Sequence, residues 1–216
     1  MSGTGAFPYR TSVSSAAASK DLTVKATVKT EIGLSGTTHD DFIDALIHQA
    51  SATIVSYIGR DVASETLVDR FRCDGSPDFL YLSRWPVGSI TSVTEDGTAV
   101  TSTYYELDAV TGKLWRLDDA GDGERTTWES GVYIVVTYVA GWTLLTTEPH
   151  DIERCCIDLV KAWYYARSRD PLVRSKAVPD VYSEAYQIGG NMESAPGGIP
   201  GDIAGRLDAY SLPAVA

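Results

Sequence analysis

Residues 132–168 read VYIVVTYVAGWTLLTTEPHDIERCCIDLVKAWYYARS, and this stretch restricts the fold more than any other. Val132 to Val139 is a β-branched run, apolar at both parities, as in a central strand covered on both sides. Gly141 then permits a sharp bend or a close backbone approach, after which Trp142 can fold back over the sheet edge. Pro149 suits the first turn of a helix. Asp151 and Glu153 match the positive end of that helix, and Arg167 and Arg169 its negative end. Ile152, Cys155, Cys156, Leu159, Ala162, Trp163 and Ala166 form one apolar stripe. A helix over 149–168 must therefore bury a face against other layers of an α+β fold.

The preceding chain supplies those layers. In GTTHDDFIDALIHQASATIVSYIGRDV, residues Ile43, Leu46, Ile47, Ala50, Ile54 and Tyr57 recur at three- and four-residue steps, which predicts a helix over 40–58. Thr38 with Asp41 has the spacing of a capping box, Asp40, Asp41 and Asp44 suit the helix start, and Gly59 suits a left-handed C-terminal cap. From 66 to 139 short β-type runs alternate with turn chemistry: strands are expected at 66–72, 79–83, 89–95, 103–108, 112–117 and 132–139. They read as an antiparallel meander or small barrel. Residues 22–34 fit a strand by alternation and a helix by the spacing of Val24, Val28 and Ile32, so pattern alone leaves both open. Residues 1–21 are small and polar and read as a flexible arm. After Pro171 the chain turns Pro- and Gly-rich, which predicts an extended tail over 171–216 with one short amphipathic helix near 202–210. Ile199, Pro200, Ile203, Leu207 and Tyr210 give that tail an apolar anchor for a neighbouring molecule. Trp163, Tyr164 and Tyr165 are consecutive on a helix and cannot all face one core, so they are candidates for a subunit interface.

Charge and chemistry narrow the function. The formal net charge of −11 opposes binding that works by neutralising phosphates. Cys73, Cys155 and Cys156 show no metal-ligand spacing, and buried thiols in a reducing compartment are the simple reading. The N-terminus lacks a secretory pattern and no apolar run is long enough to span a membrane, so a cytosolic chain is expected, without membrane contact. In DDAGDGERTTWE, Asp118, Asp122, Gly123 and Glu129 fall at calcium-loop positions, but Ala120 replaces a ligand, and a solvated hairpin loop is the better reading. His39, His48 and His150 accompany no nucleophile motif. No catalytic, cofactor or metal residue is assigned. A hydrolase is a weak alternative. A β-type ligand module using Trp85, Trp115 and Trp128 ranks above it but leaves the Pro-led helix and the tail without a purpose.

The order of elements, with VKTEIGL, the Ala50–Arg60 segment ASATIVSYIGR, the Val136–Trp142 segment VTYVAGW, the helix EPHDIERCCIDLVKAWYYAR and the closing IPGDIAGRLDAYS, resembles the head–tail connector (adaptor or head-completion) family of tailed phages and gene transfer agents. The resemblance spans about residues 22–216. It implies a helical bundle packed on a small antiparallel β-subdomain within a core domain 22–170, and it favours helix for 24–33. It implies a virion neck component: a homo-oligomeric, dodecameric ring on the portal protein, with the tail reaching the portal. A stopper or tail-completion protein would occupy the opposite face, and DNA would pass through the channel without specific binding.

Overall fold

The computed structural model describes residues 4–118, 123–147, 149–167, 175–178, 182–185 and 198–211. The chain is mixed α and β and divides into two compact units: residues 1–19 with 62–143, and residues 20–61 with 144–216. The first unit is built on strands, and its main segment is inserted into the second, which is built on helices.

In the first unit, one five-stranded sheet has the order β2-β3-β10-β5-β6. These strands are β2 Arg10–Ser15, β3 Glu65–Arg72, β5 Val87–Glu95, β6 Thr98–Val100 and β10 Tyr133–Ala140, all paired antiparallel. β10 is central, as its sequence demands, but only one of its faces is buried. Ile134, Val136, Tyr138 and Ala140 point into the core, while Val135, Thr137 and Val139 are half-buried. The second five-stranded sheet holds β1 Gly5–Ala6, β4 Phe79–Tyr81, β7 Tyr105–Asp108, β8 Lys113–Leu117 and β9 Arg125–Thr126. It is antiparallel except for β1, which pairs parallel with β4. The core between the sheets is Leu67, Phe71, Leu80, Leu82, Val93, Leu114, Ile134 and Val136 around Trp128, whose Nε1 donates to the Leu114 carbonyl at 3.2 Å.

The flexible arm expected over 1–21 is corrected by the strands β1 and β2. From Thr4 onward the chain joins both sheets, because each offers an unpaired edge that backbone hydrogen bonds can fill without apolar side chains. The close approach expected at Gly141 is present. Its φ is +102°, its N–H donates to the Pro86 carbonyl at 2.9 Å, and a β-carbon there would lie 2.5 Å from the Ala63 oxygen. Trp142 then pairs through its backbone with residues 62 and 64.

The second unit contains α1 Lys25–Ile32, α2 Asp40–Ile58, α3 His150–Ala166 and α4 Gly201–Leu207, which pack on one another. Val24, Val28 and Ile32 keep helical phase, with Val28 and Ile32 buried and Val24 left outside as the N-cap. Gly59 closes α2 in the left-handed conformation, φ +76°. The Thr38–Asp41 capping box does not form: His39 occupies the N-cap with no side-chain cap bond. Asp40, in the first turn, pairs with Lys29 Nζ of α1 at 2.6 Å. Pro149 is itself an N-cap, one residue before the position expected. Within the predicted tail, β11 Ser175–Val178 and β12 Tyr182–Ala185 pair antiparallel. Residues 168–174, 179–181, 186–197 and 212–216, including Arg169, lie outside the described residues.

Gly141→Ala is expected to destabilise the protein by more than the ~1–3 kcal/mol of a strained backbone alone, because a backbone carbonyl blocks the new methyl. Gly97→Ala, at φ +83° with open space around it, incurs strain only. Chemical denaturation of the two variants should rank them in that order.

Candidate functional site

The first candidate is polar and internal. On β3, residues Glu65, Leu67, Asp69 and Phe71 share the buried face, so two acids sit at core positions. Asp69 is fully buried and receives four donors. Thr11 Oγ1 at 2.6 Å and Ser83 Oγ at 2.8 Å reach Oδ1; the Ser83 N–H at 2.8 Å and the Tyr138 hydroxyl at 2.8 Å reach Oδ2. Burial, then the Asp69 charge, push the Tyr138 phenol far above its ordinary value, so it stays a donor. Glu65 accepts from Arg84 Nη1 at 2.6 Å and from the Ala17 N–H at 3.3 Å. A buried carboxylate without donors is strongly unfavourable, whereas one with four charge-assisted hydrogen bonds fixes the segments that supply them. The group binds β2, β3, β10 and the residue-83 loop into one piece. Its acids are committed to internal donors, so it is a structural hub.

The second candidate is an aromatic ladder on the sheet of β1, β4 and β8. Phe7 stacks on Tyr81 at 4.7 Å, Tyr81 meets Phe79 edge-on at 4.9 Å, and Phe79 meets Trp115 at 4.6 Å. Lys113 lies over Phe79 and Tyr81, and Arg125 lies 4.2 Å over Trp115. Phe7, at the open end, is 70% exposed.

The third candidate lies along α3. The three consecutive aromatics diverge as the helical period requires: Tyr164 is buried, Trp163 half-buried and Tyr165 56% exposed. Tyr164 packs near His39 and Phe42, and Arg167 covers both Tyr164 and Phe42. Tyr165 donates to the Ile32 carbonyl at 3.4 Å, which holds its ring at the surface.

The expected tail anchor behaves differently from its sequence reading. Ile199, Ile203 and Leu207 are buried within the helical unit itself, leaving Pro200 and Tyr210 half-buried. Around them, Arg206 pairs with Asp158 at 2.9 Å, Tyr57 with Asp208 at 2.5 Å, and Arg60 Nε donates to the Tyr210 carbonyl at 3.1 Å. The amphipathic pattern was legible; which apolar surface it would meet was not.

His48 Nδ1 contacts Asp21 at 2.6 Å, His39 immediately precedes α2 and His150 begins α3, so the three histidines occupy separate places. Among the described residues no group of His, Cys, Asp or Glu is arranged to hold a metal ion. Residues 119–122 of the acidic loop, with its Asp122, lie outside them. No described helix is long and apolar enough to cross a membrane. Of the three tryptophans considered for a ligand module, Trp128 is fully buried, Trp85 is half-buried against the strand core and Trp115 is covered by Arg125.

A family model described as head completion protein matches residues 21–172. No curated protein matches the sequence. Among solved structures, a chain from the neck of an empty GTA particle computed with C6 symmetry aligns with a TM-score of 0.57 and 15% identity, covering 96% of this chain and 97% of that one. A chain from the virion of a native gene transfer agent particle aligns at 0.56 and 14%, covering 95% and 97%. A chain from the neck of a native GTA particle computed with C12 symmetry aligns at 0.50 and 14%, with the same coverage.

Tyr138→Phe removes a hydrogen bond to a buried charge and the acceptor of the Arg84 N–H, and is expected to cost at least about 1.5–3 kcal/mol in chemical denaturation. Tyr9→Phe, at an exposed ring, should stay within about 0.5 kcal/mol of wild type.

Proposed function

The chain belongs to the head completion protein family, and from that membership we propose that it is a structural component of a phage-like particle's neck. In this reading it forms a homo-oligomeric ring beneath the portal and joins the portal to the stopper or tail-completion proteins. The observation that carries the reading is the family match over 21–172, which takes in the strand unit's inserted segment and most of the helical unit. The likeness in fold to gene transfer agent neck chains over nearly the whole length supports it, as does the C6 and C12 symmetry with which those necks are described. The virion neck is then its location, and its role is assembly rather than catalysis.

Within this reading, Tyr165 and the outer part of Trp163 serve contacts between subunits, while Tyr164 belongs to the interior. The portal contact falls to the outward residues around α4, such as Pro200 and Tyr210, since Ile199, Ile203 and Leu207 are held in the chain's own core. The acidic balance, −11 per copy, suits a passage along which DNA slides without adhering.

Full-length protein mixed with portal particles is expected to co-sediment with them and to add a ring visible by electron microscopy. Tyr165→Ser should lower stability by only about 1 kcal/mol, from the lost hydrogen bond to the Ile32 carbonyl, and weaken co-sedimentation by roughly tenfold, the loss of about 1.4 kcal/mol. If the wild-type chain neither associates with portal particles nor self-associates over a wide concentration range, the reading is wrong.

A further inference from the structure

Residues 4–19 form a strap attached to the strand unit by an unusual balance of forces. Its backbone lies on two sheet edges, with β1 along β4 and β2 along β3. Its other anchors end largely on acids of the body. The Thr4 N–H donates to Asp78 Oδ2 at 2.6 Å, Thr11 Oγ1 to Asp69, and the Ala17 N–H to Glu65. No residue from Thr4 to Lys20 is buried. Phe7, Tyr9 and Val13 are 70, 59 and 47% exposed, so the strap keeps its apolar groups largely in water. Residues 1–20 carry Arg10 and Lys20 and no Asp or Glu. After the Ala17 anchor the chain leaves the strap through Ala18, Ser19, Lys20 and Asp21 and enters the helical unit at Leu22, fully buried with its N–H donating to Ser51 Oγ.

We propose that this strap is an exchangeable strand: in the assembled protein, residues 4–17 of one copy occupy the β3 and β4 edges of a neighbouring copy, in the register seen here within one chain. The proposal rests on the ring reading and names one contact that closes the ring. Exchange needs no new surface, because every hydrogen bond made in trans is one already made in cis, which makes it a low-cost route to association. An edge left empty would leave Asp69 and Glu65 short of a donor, so exchange is favoured only where each copy both gives and receives. A closed ring meets that condition. Where two bodies meet, Phe7, Tyr9 and Val13 also gain the burial they lack in the single chain. With residues 4–17 docked, the four residues from Ala18 to Asp21 are left to reach Leu22, and they span roughly 14 Å when extended. Exchange therefore requires neighbours packed side by side.

Ser12 and Val68 are register partners on β2 and β3, both half-buried on the face away from the core. A chain carrying only Ser12→Cys, mixed with a size-tagged chain carrying only Val68→Cys, is allowed to assemble and then oxidised. Disulfide-linked heterodimer on a non-reducing gel is expected at several times the level of a control mixture. The control pairs Val135→Cys with Thr94→Cys, register partners on the interior strands β10 and β5. The native thiols are poor competitors, since all three are buried and burial pushes Cys73 up to about 11 and Cys156 up to about 12. Oligomers seen by sedimentation, with no more Ser12→Cys to Val68→Cys linkage than in the control, overturn the exchange and leave the ring reading standing. Absence of oligomers under every condition overturns both.

Discussion

A fully buried carboxylate organises the strand unit. Asp69 lies between Leu67 and Phe71 on the core face of β3, where an unpaired charge would cost several kcal/mol or more. The fold meets that cost with a threonine from β2, a serine backbone and side chain from the loop after β4, and a tyrosine from β10. Each donor fixes the register of the segment that carries it. A one-residue slip of β2 would turn Thr11 to the other face and leave the acid short of a donor. Apolar packing holds the sheets together, while Asp69 selects which alignment is formed.

In the helical unit the selecting role passes to surface charge. Lys25 and Lys29 of α1 meet Asp40 and Asp44 of α2, and Glu31 meets Arg154 and Lys161 of α3. The hydrogen bond from Lys161, then that from Arg154, holds the Glu31 carboxyl below its ordinary range, and Lys29 does the same for Asp40. These contributions are present above the unfolded carboxylate value and are lost as pH falls through the depressed folded values. Lying at the surface or only half-buried, each is small. The apolar faces of α2, α3 and α4 supply the main stabilisation, with Leu207, Ile203 and Ile199 as full members.

Period and punctuation made most elements legible. The helix over 40–58 has the bounds read from its apolar steps, and the expected strands match those observed to within a few residues. What period cannot convey is partnership. The segment Ile199–Tyr210 shows an apolar face, and the same face fits a neighbour or the chain's own α3. Residues 4–19 carry almost no apolar signal because main-chain hydrogen bonds hold them, and those bonds leave no trace in composition. One missed feature did leave a trace. In ETLVDRFR the acids Glu65 and Asp69 fall in phase with Leu67 and Phe71, and acids in the apolar phase of a strand imply buried partners. Thr11, Ser83, Arg84 and Tyr138 are too far away in sequence for their pairing to be read from a local pattern.

Charge also limits how copies of this chain can meet. Each carries −11, so bodies brought side by side repel over the ~8 Å Debye length of physiological salt. Contacts between them must come from forces that this repulsion does not weaken: backbone pairing at sheet edges and burial of aromatic rings. The exposed groups suited to those roles include Tyr165, which projects from α3, and Phe7 and Tyr9 on the acid-free strap. A strap without acids adds no repulsion when it approaches an acidic neighbour, and its backbone donors meet the Glu65 and Asp78 carboxylates directly. The features that make the strap look dispensable in a single chain, namely small side chains, little burial and no acids, are those that allow it to cross between like-charged bodies.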